Sequence, residues 1–134
     1  MSDSANRGVE AVDLAALAHG GPGRGVPWAL QSEDLSANLV VFAAGEGVAA
    51  HVNAEVDVLF LGVAGDGVVE VHGRSHHLGP GRLLVVPKGA RRATRAVGDR
   101  FAYLTCHRRR AGLLPTKRPR PGAPPGADDP APAP

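Results

Sequence analysis

Polar side chains occupy every second position in one short stretch of the chain. They are His51, Asn53, Glu55 and Asp57, within the segment from Gly45 to Gly67. Side chains two residues apart on an extended strand point to the same face. The spacing therefore predicts that an imidazole, an amide and carboxylates project together. Such groups can ligate a divalent metal, or they can form a hydrogen-bonded polar layer that serves only the fold.

A second stretch, from Gly81 to Ala96, complements the first. Four apolar residues run into Pro87, Lys88 and Gly89, and a basic segment that contains Arg92 follows. Proline and glycine so close together are typical of a turn between strands.

The first stretch resembles the first of the two motifs of the cupin superfamily. That motif is a glycine, five residues, His-x-His, three or four residues, and a glutamate. Here Gly45 is followed by five residues and His51, and Asn53 stands in place of the second histidine. Asp57, three residues later, stands in place of the glutamate.

The second stretch resembles the second cupin motif, which is Gly, five residues, Pro-x-Gly, two residues, His, three residues and Asn. Gly81, Pro87 and Gly89 fall in register with it. Arg92 stands where the histidine belongs, and Ala96 stands where the asparagine belongs. Two motifs that match in order and spacing are far more specific than either one alone.

The resemblance implies an all-β fold, a small antiparallel β-barrel of the cupin or double-stranded β-helix type, jelly-roll-like, with a short N-terminal helix. We expect the barrel over residues 26–107, after an N-terminal segment (1–25) that holds a helix from Val9 to His19 and a glycine-rich connector. Many glycines and short valine-rich runs fit short strands joined by tight turns. We expect turns at Gly65-Asp66-Gly67 and Gly98-Asp99, and a disordered Pro- and Arg-rich tail over residues 108–134.

The departures from the motif predict a barrel without a metal or another cofactor. In metal-binding cupins, three histidines and the glutamate hold one divalent ion. Arginine stays protonated and brings its own positive charge, so it cannot replace a histidine ligand. Our hypothesis is that an ion pair between Arg92 and Asp57 takes the place of the metal, with His51 and Asn53 hydrogen-bonded around it. Glu55 is expected in an exposed loop, outside the site.

Three functions fit this prediction. The first is a metal-free single-domain cupin that binds a small polar or anionic molecule in the barrel, with Arg92 as the anchor. The second is a metal-dependent cupin enzyme of the isomerase or dioxygenase type, with a non-standard ligand set that includes His51 and Asp57. The third is a dimeric interaction module that uses the basic tail. No catalytic residue is evident, and a purely structural polar layer remains an alternative.

Other reactive side chains are given no role. His76 and His77 are adjacent, so on one strand they face opposite ways, and with His72 they are not expected to bind metal. Arg91 and Arg95 share one strand face, which we predict is the outer one. Cys106 is the only cysteine, and we interpret it as a small apolar side chain.

The charge of the chain is unevenly distributed. Residues 1–107 carry nine Lys or Arg and eleven Asp or Glu, whereas residues 108–134 carry six Lys or Arg, two Asp and eight of the twelve prolines. A basic tail without interleaved aromatics is weak evidence for nucleic-acid binding, and we expect none. With no secretory signal and no membrane-spanning stretch apparent, we expect a cytoplasmic protein, and the resemblance implies a homodimer.

Overall fold

Strands dominate the computed structural model, which describes residues 8–20 and 24–109. One short helix precedes seven strands, all paired in antiparallel fashion. The elements are α1 (Leu14–Gly20), β1 (Gly25–Gln31), β2 (Leu35–Ala43), β3 (Gly47–Val52), β4 (Val58–Val71), β5 (Arg74–His77), β6 (Leu83–Val86) and β7 (Arg91–Arg108). This confirms the predicted all-β fold with a short N-terminal helix.

Helix α1 begins five residues later than the predicted helix. The Asp13 side chain accepts a hydrogen bond from the Ala16 backbone N–H at 3.0 Å, and so caps the first turn. At the other end, Arg100 Nε donates to the Ala18 carbonyl at 2.7 Å. The segment before Asp13 is therefore outside the helix, because an aspartate at this position favours a cap over a helix interior.

Two long strands organise the barrel. The strand order is β1-β2-β7-β4-β5, with β3 also paired to β7 and β6 to β4. The first part of β7 pairs with β3, its last part pairs with β2, and β4 accompanies β7 along nearly its whole length. β7 therefore contributes side chains to both walls of the barrel.

The predicted turns at Gly65-Asp66-Gly67 and Gly98-Asp99 are wrong, because β4 and β7 run continuously through them. The register between these strands shifts at two places instead, between Gly62 and Ala64 and between Gly65 and Gly67. Such bulges bend a strand without ending it. Gly65 has a φ of 69°, which glycine adopts without the strain that a side chain would add.

Alternating side chains of β2 line two different hydrophobic clusters. Val40 packs in the barrel core with the three aromatic residues Phe60, Phe101 and Tyr103. Val41, on the opposite face, packs with Ala18 of α1 and with Ala64 and Ala102 of the neighbouring strands. The helix thus covers the outside of β2, and both faces of the strand are buried.

The barrel extends two residues past its predicted end at residue 107. Arg108 Nη2 donates to the Glu55 carbonyl at 3.1 Å. The Arg109 backbone N–H donates to the Asp34 carbonyl at 2.8 Å, and its side chain donates to the Ser32 carbonyl at 3.2 Å. The predicted disorder of the tail concerns residues outside the described ones. Within those ranges, α1 is too short to cross a bilayer.

Candidate functional site

A tight turn brings Arg92 into the barrel. The Ala90 N–H donates to the Pro87 carbonyl at 3.2 Å, and Gly89 has a φ of 86°, which is typical of the third residue of a type II turn. The Gly89 N–H also donates to the Asn53 carbonyl at 2.7 Å. β7 starts directly after this turn, and its alternation leaves the Arg92 side chain 1% exposed.

His51 lies directly opposite Arg92 on β3. Residues paired in this way on antiparallel strands project from the same face with their Cβ atoms about 4.5–5.5 Å apart. The structure therefore brings the imidazole and the guanidinium together, and His51 is half-buried. Arg91 and Arg95 alternate with Arg92 and are exposed.

The His51 ring has one nitrogen committed to the backbone. Nδ1 lies 3.0 Å from the Ala49 carbonyl oxygen, and a carbonyl can only accept, so Nδ1–H is the donor. In the neutral ring, Nε2 then keeps its lone pair, and in the protonated ring it becomes a second donor. His51 can thus offer its Nε2 atom to a ligand inside the barrel.

Asn53 is buried at 6% exposure, where the chain leaves β3. Its side-chain oxygen accepts hydrogen bonds from the backbone N–H groups of Glu55 at 3.0 Å and Val56 at 3.3 Å. Its Nδ2 is buried and has no hydrogen-bond partner among the described residues. The side-chain oxygen of Asn53 therefore holds the loop after β3 in place. The Nδ2 group can act as a donor inside the barrel. Glu55 is exposed in that loop.

The ion pair between Arg92 and Asp57 that the sequence predicts is not formed. Asp57 is exposed, and its Oδ1 accepts a hydrogen bond from the Lys88 N–H at 2.8 Å. Val58, which is fully buried, points inward instead. The motif allows three or four residues before its last position, and a change of one residue moves a side chain to the other face of the strand. Asp57 instead braces the turn that precedes Arg92.

An aromatic cluster lies beside the buried arginine. The Tyr103 ring centroid is 4.9 Å from that of Phe101 and 5.7 Å from that of Phe60. The Tyr103 hydroxyl is 3.4 Å from Thr94 Oγ1. Burial raises the pKa of Tyr103 well above its ordinary value, while Thr94 and the charge of Arg92 oppose that rise. Tyr103 thus stays a neutral phenol at physiological pH.

Solved structures share this arrangement of strands, although no protein-family model and no curated protein matches the sequence. KdgF from Halomonas sp. is 26% identical, with 71% of this chain and 87% of that one covered and a TM-score of 0.59. TT1209 from Thermus thermophilus is 25% identical, with 75% and 97% covered and a TM-score of 0.65. An RmlC-like cupin family protein with a double-stranded β-helix fold, from Methanocaldococcus jannaschii, is 15% identical, with 69% and 85% covered and a TM-score of 0.61. The chain has the double-stranded β-helix fold of the cupin proteins.

The side chains at the inward-facing motif positions are a poor ligand set for a divalent metal. The motif positions that face inward hold His51, Asn53, Val58 and Arg92, which is one imidazole, one amide, one alkyl group and one cation. No three His, Cys, Asp or Glu side chains converge anywhere in the described ranges. A fixed guanidinium at the fourth position would also repel a metal ion.

The other reactive side chains lie outside the barrel of this cupin. His77 Nε2 is 3.1 Å from Asp66 Oδ1, and both side chains are more than half exposed. Cys106 is half-buried on the outer face of β7. Burial raises the pKa of its thiol, which makes the thiolate scarce at neutral pH.

Sequence reasoning missed several buried polar residues of the barrel interior, among them three on β2 and the end of β7. Ser36, Asn38 and His107 are each 5% exposed, and Ser36 lies directly opposite His107 on the paired strands. The alternation of side chains in β2 could have predicted that Ser36 and Asn38 are buried, because they share a strand face with Val40. The apolar face of Leu35, Ala37, Leu39 and Val41 is the one that the sequence marks as buried.

An open pocket of about 420 Å³ lies where β1, β2 and β3 meet. Val40 and Phe42 form part of its wall, and an ion pair between Arg24 and Glu46 borders it. The Phe42 ring centroid is 6.0 Å from that of Tyr103. The pocket therefore adjoins the aromatic cluster and is a candidate approach to the barrel interior.

Proposed function

We propose that this cupin is metal-free and binds a small anionic molecule inside its barrel, with Arg92 as the anchor. The observation that carries the proposal is the burial of a guanidinium, 1% exposed, directly opposite His51. Arg92 is the one buried Lys, Arg, Asp or Glu side chain of the described residues. A guanidinium in this position can direct its N–H groups towards an anion inside the barrel, which is the binding role that we propose.

The neighbouring groups complement an anion. A guanidinium can donate two parallel hydrogen bonds to a carboxylate or a phosphate. Asn53 offers a buried Nδ2 donor, and the His51 imidazole lies directly opposite Arg92. Asp57 holds the turn that starts β7, so it positions Arg92 and does not contact the ligand.

Titration of the full chain with acetate and with inorganic phosphate, followed by NMR, tests this proposal. We expect saturable shifts at His51, Asn53 and Arg92. Hydrogen bonds to a charged group contribute about 1.5–3 kcal/mol, so Arg92→Met should weaken binding at least about tenfold. Arg91→Met removes the same charge from the exposed face of the same strand and should change the affinity less than about threefold.

Three results would contradict a metal-free anion site at Arg92. Wild-type protein that shows no saturable binding of either anion would remove the proposal altogether. Equal weakening in Arg91→Met and Arg92→Met would show that the net charge of the surface, not the buried guanidinium, attracts the anion. Tight binding of one equivalent of Zn²⁺ or Ni²⁺ that is lost in His51→Ala would favour the metal-dependent enzyme instead.

We also propose a homodimer through the outer face of β6 and β4. Leu83 and Val85 of β6 are 59% and 54% exposed, and their strand partners Leu61 and Leu59 are half-buried and 41% exposed. In the described residues β6 is hydrogen-bonded on one side only, to β4. An uncharged apolar edge strand invites pairing, and a second copy can meet it through a two-fold axis.

Sedimentation of single-site variants tests the dimer. Leu83→Glu should shift the wild-type dimer towards monomer at micromolar concentration, because it places a charge in the apolar face. Val97→Glu adds the same charge at a residue that is 56% exposed on another strand, and it should leave the dimer intact. A wild-type monomer, or a dimer in both variants, would exclude this interface.

The role of the basic tail as a contact surface stays a prediction, as does the cytoplasmic location. Arg108 and Arg109 hydrogen-bond to the barrel, so a truncation that probes the tail should begin at residue 110. Loss of a captured partner in that variant, with an unchanged melting temperature, would support the interaction module.

A further inference from the structure

Two polar side chains of β2 lie inside the barrel without a hydrogen-bond partner. Ser36 and Asn38 are both 5% exposed, and they alternate with Val40 of the barrel core. Neither side chain has a hydrogen bond within the described residues, and neither has a polar atom among those sealed from solvent without a partner. The hydroxyl and the amide can therefore offer hydrogen bonds to a ligand inside the barrel.

The neighbouring strand β7 adds two more polar groups. Ser36 pairs in register with His107, and Asn38 pairs in register with Thr105. His107 Nδ1 lies 2.7 Å from the Arg108 carbonyl oxygen. Because a carbonyl can only accept, Nδ1–H is the donor, and Nε2 of the neutral ring is an acceptor. Hydroxyl, amide and imidazole groups thus line one wall.

This wall faces the wall that carries Arg92. Thr94 Oγ1 and Tyr103 Oη are 3.4 Å apart, so the two halves of β7 approach each other across the interior at this level. Arg92 is two residues from Thr94 on one half, and Thr105 is two residues from Tyr103 on the other. Since successive inward residues are spaced by two positions, Arg92 and the row of Asn38 and Thr105 lie at similar depth.

We propose that Ser36, Asn38 and His107 form a second subsite, which binds the hydroxyl or carbonyl groups of the anion that Arg92 holds. The ligand class is therefore a small hydroxy- or oxo-carboxylate. This inference rests on the proposed anion site. It adds that hydrogen bonds from the β2 wall select among carboxylates of equal charge and similar length.

Titration calorimetry with propionate and glycerate separates the two subsites. Both probes are three-carbon carboxylates, and glycerate carries two hydroxyl groups that propionate lacks. Full-length protein should bind glycerate at least about tenfold more tightly, because each satisfied buried hydrogen bond contributes several-fold. Ser36→Ala and Asn38→Leu should each reduce that preference while propionate affinity stays within about twofold.

Ser75→Ala is the matched control for Ser36→Ala, since Ser75 is exposed on β5 and should leave the preference unchanged. The melting temperature supplies a second readout. Replacing an unpartnered buried amide by an apolar group of similar shape is neutral or stabilising, so Asn38→Leu should melt no lower than wild-type protein. A structural Asn38 would give a lower melting temperature.

Three outcomes would overturn the inference. If both probes bind equally well and Arg92→Met abolishes both, the anion site stands and the second subsite does not exist. If the glycerate preference survives in Ser36→Ala and Asn38→Leu, the selecting groups lie elsewhere. If neither probe binds to wild-type protein, the proposed function and the inference fail together. Should Asn38→Leu not fold, Ser36→Ala with its control decides the matter.

Discussion

Replacing Asn53 by aspartate changes the charge of the proposed site with almost no change in shape. The side-chain oxygen that accepts hydrogen bonds from Glu55 and Val56 is retained. The buried Nδ2, which has no partner among the described residues, becomes a carboxylate oxygen. The variant therefore tests the electrostatics of the interior while it keeps the loop that follows β3.

The magnitude follows from the strand geometry. His51 lies directly opposite Arg92, and Asn53 is two residues further along, a displacement of about 6.6 Å. Both side chains extend into the same interior, so we place the new carboxylate about 6 Å from an anion that is bound to Arg92. Two like charges at that distance repel by about 3 kcal/mol at an effective dielectric constant of 20, which is roughly a hundredfold loss of affinity.

Acetate binding measured by NMR titration provides the assay, with Ala54→Asp as the control. Ala54 is adjacent but exposed, so water and salt screen the same charge, and the affinity should fall less than about threefold. Because Asn53→Asp buries a carboxylate, its melting temperature should lie below that of wild-type protein, and a native-like NMR spectrum checks that the barrel is intact. Equal affinities in Asn53→Asp and wild-type protein would refute the placement of the anion at Arg92.

Two further predictions concern the stability of the barrel. Gly67→Ala would place a Cβ atom within 2.1–2.4 Å of three ring atoms of the fully buried Phe101, so urea unfolding should show a loss of about 2–3 kcal/mol or more. Gly20→Ala, with no atom within 4 Å of the new Cβ, should change it by less than about 1 kcal/mol; equal losses would contradict the steric explanation. The hydrogen bond from the Ala43 backbone N–H lowers the pKa of Glu46, so ionised Glu46 stabilises the fold above its ordinary pKa and this contribution is lost as pH falls through the lowered value. Glu46→Gln should therefore melt below wild type at pH 7 in differential scanning fluorimetry, and the difference should disappear in acid; a constant difference would exclude the linkage.

The types and spacing of a few residues were sufficient to predict the fold. Gly45, Gly81 and Gly89 have positive φ values of 78°, 83° and 86°, which few other residues adopt without strain. Turn positions of this kind are set within a few residues, so the motif glycines were sufficient to predict an all-β fold. The same local information could not separate a turn from a bulge at Gly65 and Gly67, since glycine serves both.

The sequence could not predict which residues form the site, because that depends on which face of each strand points into the barrel. Asp57 and Val58 both satisfy the spacing of the motif, and only the pairing of β4 with β6 and β7 directs Val58 to the core. Similarly, Ser36 and Asn38 share a strand with apolar residues that predict the opposite face as buried. Helix α1 covers part of that outer face, which leaves the polar face to line the barrel.

By itself, then, the sequence determined the all-β fold, the turn at Pro87–Gly89 and the presence of an arginine where the motif has a histidine. Tertiary structure decided the partners of that cation, because side chains from β2, β3 and β7 meet only when the barrel closes. Strand periodicity says which residues share a face. It does not say which of the two faces becomes the interior, since that choice depends on contacts between residues that are distant in the chain.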